Sequence, residues 1–127
     1  MSKYAASAFV LLSFVATAVH AQSSKRTELT KGDLTGTNME IIVGTVEVPP
    51  GASGVLHTHP GEEAYHVIDG ATAVLPHAKP LTFEPGMAKI SVRDVPHGAF
   101  KVAGDKTLTL LTVHIVDKGK PMMVPVK

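Results

Sequence analysis

The sequence predicts an all-β domain, a sandwich or barrel of antiparallel strands, on three observations. Stretches rich in Val, Ile and Thr recur at close, even intervals along most of the chain. Each is stopped by strong turn chemistry: Pro49-Pro50-Gly51, Asp69-Gly70, the segment from Pro76 to Pro80, Glu84-Pro85-Gly86 and Gly104-Asp105. Beyond the first twenty or so residues, no stretch carries apolar residues at the 3.6-residue period of an amphipathic helix.

The elements follow in order. Residues 1–21 have a basic start at Lys3, an apolar stretch over 5–19 and the small-residue end Val19-His20-Ala21, the pattern of a signal peptide cleaved before Gln22. The apolar stretch is short and rich in alanine and serine, which disfavours a membrane span. Residues 22–37 are polar and read as an N-terminal arm or edge strand, and 38–127 as the folded domain. Within it, strands are expected over 39–48, 55–59, 63–68, 71–75, 81–83, 88–92, 99–102 and 107–116.

The chemistry concentrates between Gly51 and Gly70. His57 and His59 are two apart, so on a strand both imidazoles leave the same face and can point into one cavity. A turn at Pro60 and Gly61 is expected to bring the chain back, with Glu63 opening the returning strand. Two histidines and a carboxylate form a set that holds a divalent, redox-capable metal with coordination positions left open. A turn one residue tighter would put Glu62 in that place.

The run reads G-x5-H-x-H-x3-E-x6-G through Gly51, His57, His59, Glu63 and Gly70, and on those residues the chain resembles a small single-domain bacterial cupin of the quercetin-dioxygenase-like kind. The second motif of that family, G-x5-P-x-G-x2-H-x3-N, is matched at Gly86 and His97 and departs at Val92, Asp94 and Lys101, while Pro96 and Gly98 flank the histidine. The resemblance spans about residues 38–124. It implies a single cupin barrel, an antiparallel jelly roll or double-stranded β-helix. It also implies one divalent metal ion (Fe, Mn, Ni, Co, Cu or Zn) inside, on His57, His59, Glu63 and His97. No internal repeat suggests a second barrel.

Other residues are read by parity. From Glu63, alternation turns Tyr65 inward, as a barrel-lining aromatic or a hydrogen-bonding partner of the site, and His66 outward. His77 lies in a turn and is expected to be exposed. His114, in an apolar strand, either lines the pocket or is a buried, hydrogen-bonded histidine. Lys101 is expected to reach the rim, since a lysine beside a divalent cation is unfavourable.

Composition narrows the function classes. There is no cysteine, which removes disulfides, thiolate ligands, a thiol nucleophile and the lipoprotein mode of anchoring. With Lys3 in the leader, basic and acidic side chains balance in the remainder, no basic run occurs and there is no Trp, so nucleic-acid binding has no support. The expected partner is a small-molecule ligand or substrate, with room for a homodimer, in the periplasm or the medium. Two functions fit: a metal-dependent, dioxygenase-like enzyme acting on a small oxygen-chelating substrate, or a non-catalytic binder of metal or small ligands. Open coordination leans towards the enzyme.

Overall fold

The computed structural model describes residues 22–127, so the expected signal peptide lies outside the described residues. Ten strands follow one another: β1 (Lys25–Leu34), β2 (Met39–Val48), β3 (His57–Thr58), β4 (Gly61–Asp69), β5 (Ala71–Val74), β6 (Leu81–Phe83), β7 (Ala88–Ser91), β8 (Lys101–Ala103), β9 (Leu108–Asp117) and β10 (Val124–Pro125). They form a five-stranded sheet ordered β1-β2-β9-β4-β7, a three-stranded sheet ordered β6-β5-β8 and the pair β10-β3, and every pairing is antiparallel. The fold is the all-β, double-stranded β-helix or jelly-roll class that the sequence predicts. Among the described residues no helix is long and apolar enough to cross a membrane.

Alternation on one strand explains how core and site share an interior. In β9 the residues Leu108, Leu110, Thr112, His114 and Val116 are buried and those between them only partly so. At one end of this face Leu108 and Leu110 join Val48, Val67, Ala73 and Val102, which come from both larger sheets and place the apolar core between them. Full burial of Leu108 is worth about 1.5–3 kcal/mol. Towards the other end the same face turns polar at Thr112 and His114.

One open alternative is resolved and two expectations need adjusting. The lead-in is an edge strand: β1 pairs with β2 throughout, with a bulge between Glu28 and Thr30. The ladder over 55–59 is reduced to His57–Thr58, because its partner β10 is only two residues long. The returning strand begins at Gly61, not Glu63, so Gly61 belongs to the ladder opposite Val116. Only glycine fits there, since a Cβ would come within 1.8 Å of the Ile115 carbonyl oxygen.

Candidate metal centre

Four side chains from three segments converge. His57 and His59 lie on and just after β3, Glu63 is on β4, and His97 is in the loop between β7 and β8. That loop is tied to β3 by a reciprocal pair of backbone bonds, His57 N–H to the His97 carbonyl and the reverse, each 2.9 Å. One potential ligand atom from each of the four lies within 4.8 Å of all the others.

The second motif shows how its departures are absorbed. Asp94, where the family pattern has glycine, takes a left-handed backbone with φ 59°, a conformation that Asp tolerates better than most residues. Gly98 has φ +90°, and a Cβ on it would stand 2.5 Å from Cε1 of His57. The shifted Pro96-His97-Gly98 turn therefore lets the chain pass against the His57 ring.

Backbone carbonyls fix the tautomers. Nδ1 of His57 donates to the Val55 carbonyl (2.5 Å), Nδ1 of His59 to that of Met122 (2.6 Å) and Nδ1 of His97 to that of Val95 (2.9 Å). A carbonyl only accepts, so in each neutral ring the hydrogen sits on Nδ1 and Nε2 presents a lone pair. The Nε2 atoms of His57 and His59 are 3.1 Å apart, and that of His59 is 3.2 Å from Oε2 of Glu63. The Nε2 of His97 is buried without a hydrogen-bond partner, 4.0 Å from Oε1 of Glu63. Lone pairs and a carboxylate so placed repel unless a cation lies among them. Donors about 2.1 Å from one ion stand roughly 3.0 Å apart at right angles and about 4.2 Å apart when opposite, which brackets these separations. The residues present fit a divalent metal.

Burial works to raise the pKa of Glu63, but contacts with His114 and His59 outweigh it and hold the carboxyl far below the usual range. Burial pushes His57 and His114 down from the ordinary imidazole value, which favours their neutral forms. Tyr65 is raised by burial first and by the charge of Glu63 second, so it remains a protonated phenol.

The other sequence-predicted residues are sorted by face. Tyr65 lines the same cavity, Glu62 and His66 are exposed on the opposite face of β4, and His77 is exposed in a left-handed turn (φ 56°). Lys101 is exposed beside the fully buried Val102. His114 is both buried and at the site: its Nε2 is 2.7 Å from Oε2 of Glu63, although the two are not aligned as a hydrogen bond. Sequence reasoning missed that contact and the orienting carbonyl of Met122. The first follows from register, since Glu63 and His114 are directly opposed between β4 and β9.

The cluster opens into a cavity of about 640 Å³ whose wall includes Val46, Tyr65, Phe83, Phe100 and Leu110.

Residues 44–114 match the family described as Cupin domain. No curated relative matches the sequence. Among solved structures, an uncharacterized conserved protein with a double-stranded beta-helix domain from Klebsiella pneumoniae is 16% identical, with a TM-score of 0.61 over 83% of this chain and 85% of that one. The polyketide cyclase RemF from Streptomyces resistomycificus is 24% identical, with a TM-score of 0.61 over 82% of this chain and 71% of that one. The DMSP lyase DddQ from Ruegeria pomeroyi is 22% identical, with a TM-score of 0.55 over 71% of this chain and 44% of that one. At these identities the likeness is one of fold.

Proposed function

The chain belongs to the cupin domain family, and on that premise we propose that it holds one divalent metal ion on His57, His59, Glu63 and His97 and serves as a metal-dependent, dioxygenase-like enzyme for a small oxygen-chelating organic substrate. One observation carries the reading. The Nδ1 hydrogens of three histidines are directed to carbonyls, leaving their Nε2 lone pairs facing one another and the Glu63 carboxylate, a donor set that a divalent cation satisfies.

When bound, such an ion acts as a Lewis acid that lowers the pKa of a chelating enol or diol and orients it. The protein supplies the rest. The carbonyls of Val55, Met122 and Val95 hold the rings rigid, so ligands need not reorganise. Phe83, Phe100 and Leu110 exclude water and receive an apolar substrate body. Tyr65, kept protonated, lines the cavity as a phenol able to donate a hydrogen bond to a bound substrate. His114 lies against Oε2 of Glu63 and limits its rotation.

The leader pattern over 1–21 supports a further part of the reading, that the chain acts after export to the periplasm or medium. Intact mass of the mature protein should show loss of the first 21 residues, and full-length protein in the membrane fraction would refute it.

The central test is metal analysis of purified wild type beside His57→Ala, His59→Ala and His77→Asn. The first two should lose most of the metal and the third none. Equal loss from all three would show that the site is misassigned. Oxygen uptake is then screened with catechol, flavonol and diketone substrates. Substrate-dependent uptake supports the enzyme, whereas tight retention of a ligand without product supports a binding protein built on the same centre.

A further inference from the structure

A polar belt crosses the cavity one row away from the metal-ligating cluster. In the register of the five-stranded sheet, one row runs Ile42, His114, Glu63, Ser91, and the row two residues away runs Gly44, Thr112, Tyr65, Lys89. Arg26 joins this second row from the edge strand: its Nη1 donates to Oγ1 of Thr112 at 3.3 Å, from 86 residues away in sequence. Arg26, Lys89 and Tyr65 all line the cavity.

Among the described residues Arg26 has no anionic partner of its own. Arg93 is paired with Asp117 and Asp94, whereas among the described residues Arg26 makes no ion pair. The residue as a whole is exposed on the edge strand, yet its guanidinium reaches the buried Thr112 hydroxyl. The cost of partly desolvating it shows as a lowered pKa, offset in part by Glu63. A guanidinium presents several donors in a fixed fork, and the one to Thr112 leaves others free to bind a carboxylate in bidentate fashion.

Resting on the metal-centre reading above, we infer that the substrate class is organic carboxylates: an apolar body in the cavity, an oxygen donor at the His57, His59, Glu63 and His97 cluster, and the carboxylate held by Arg26. The spacing sets the size. Thr112 and His114 point the same way two residues apart on β9, which is about 7 Å along a strand, so the two polar ends of the ligand lie several bonds apart. Lys89 and the Tyr65 hydroxyl reinforce the anionic end. A primary amide of the same shape offers one acceptor oxygen in place of two and sets an NH2 donor against the guanidinium's own donors, so it binds less well.

The test is calorimetric titration of the metal-loaded protein with matched pairs that carry an oxygen donor at the far end, namely 4-hydroxybenzoate, 4-hydroxyphenylacetate and 3-(4-hydroxyphenyl)propanoate, each against its primary amide. For at least one pair the carboxylate should bind tenfold or more tightly than the amide. Arg26→Gln should abolish that preference with metal content unchanged, and Arg26→Lys should restore part of it. Three results would overturn the inference. They are no carboxylate preference in any pair, a preference that survives Arg26→Gln and so belongs to the metal, or loss of metal from Arg26→Gln, which would make Arg26 a support for Glu63. Repeating the titration after chelator treatment separates the two readings. A wild type that never carries metal refutes the metal centre, while an Arg26-dependent acid preference in that same protein still upholds the anion anchor.

Discussion

At the scale of single residues, the site depends on small groups that cannot be enlarged and on charges that cannot be removed. Gly98 combines a left-handed backbone with contact against His57. In Gly98→Ala, backbone strain of about 1–3 kcal/mol adds to displacement of the His57 ring, so thermal denaturation should show a lower melting temperature and metal content should fall with it. Glu63→Gln removes the carboxylate charge from a cluster of imidazoles, and metal content should drop while the fold persists. If Glu63→Gln kept its metal and lost only turnover, the residue would be a proton-transfer group beside a three-histidine centre. His114→Ala removes the side chain packed on Oε2 of Glu63. Metal affinity should weaken by roughly 10–100-fold, the usual effect of losing an outer partner of a ligand, and direct metal titration reads it.

At the scale of elements, the loop carrying His97 is held by charge as well as by backbone. Arg93 binds the Asp117 carboxylate with both terminal nitrogens, and Lys120 binds the same carboxylate at 2.9 Å. This joins the loop after β7 to the end of β9 and the turn beyond. Asp117→Ala should therefore speed metal release into excess chelator, and added salt should speed it in the wild type, because exposed ion pairs are screened. The strands were legible in the sequence because Val, Ile and Thr alternate between strong turn residues, and the His57, His59, Glu63 face was legible because period two on a strand is local. What escaped depends on partners far along the chain. Arg26 reaches Thr112 and His59 reaches Met122 only after β1 and the C-terminal tail have docked. The loss of glycine at position 94 hid a turn that survives in the backbone of Asp94.

For the whole molecule, acid sensitivity has a definite sign. His57 and His114 have folded pKa values below the ordinary imidazole value of about 6.5. The unfolded chain therefore binds more protons as pH drops through that value, and stability present above it is lost between it and the lower folded values. Glu63, also lowered, acts in the same direction at lower pH, beneath the usual carboxylate range. Chelator-treated protein should thus melt several degrees lower at about pH 5 than at about pH 7.5, since each kcal/mol moves the midpoint of a domain this size by roughly 4–8 °C. A melting temperature that rose on acidification would show that these imidazoles are not buried as neutral bases. The pairing of β10 with β3 bears on biosynthesis. The carbonyl that orients His59 lies 63 residues further along the chain, so a ribosome that has delivered every ligand has not yet delivered the part that aims one of them. Metal capture should accordingly be a late event, following release of the tail, and chains truncated after Pro121 should take up the ion weakly even though all four ligands are present.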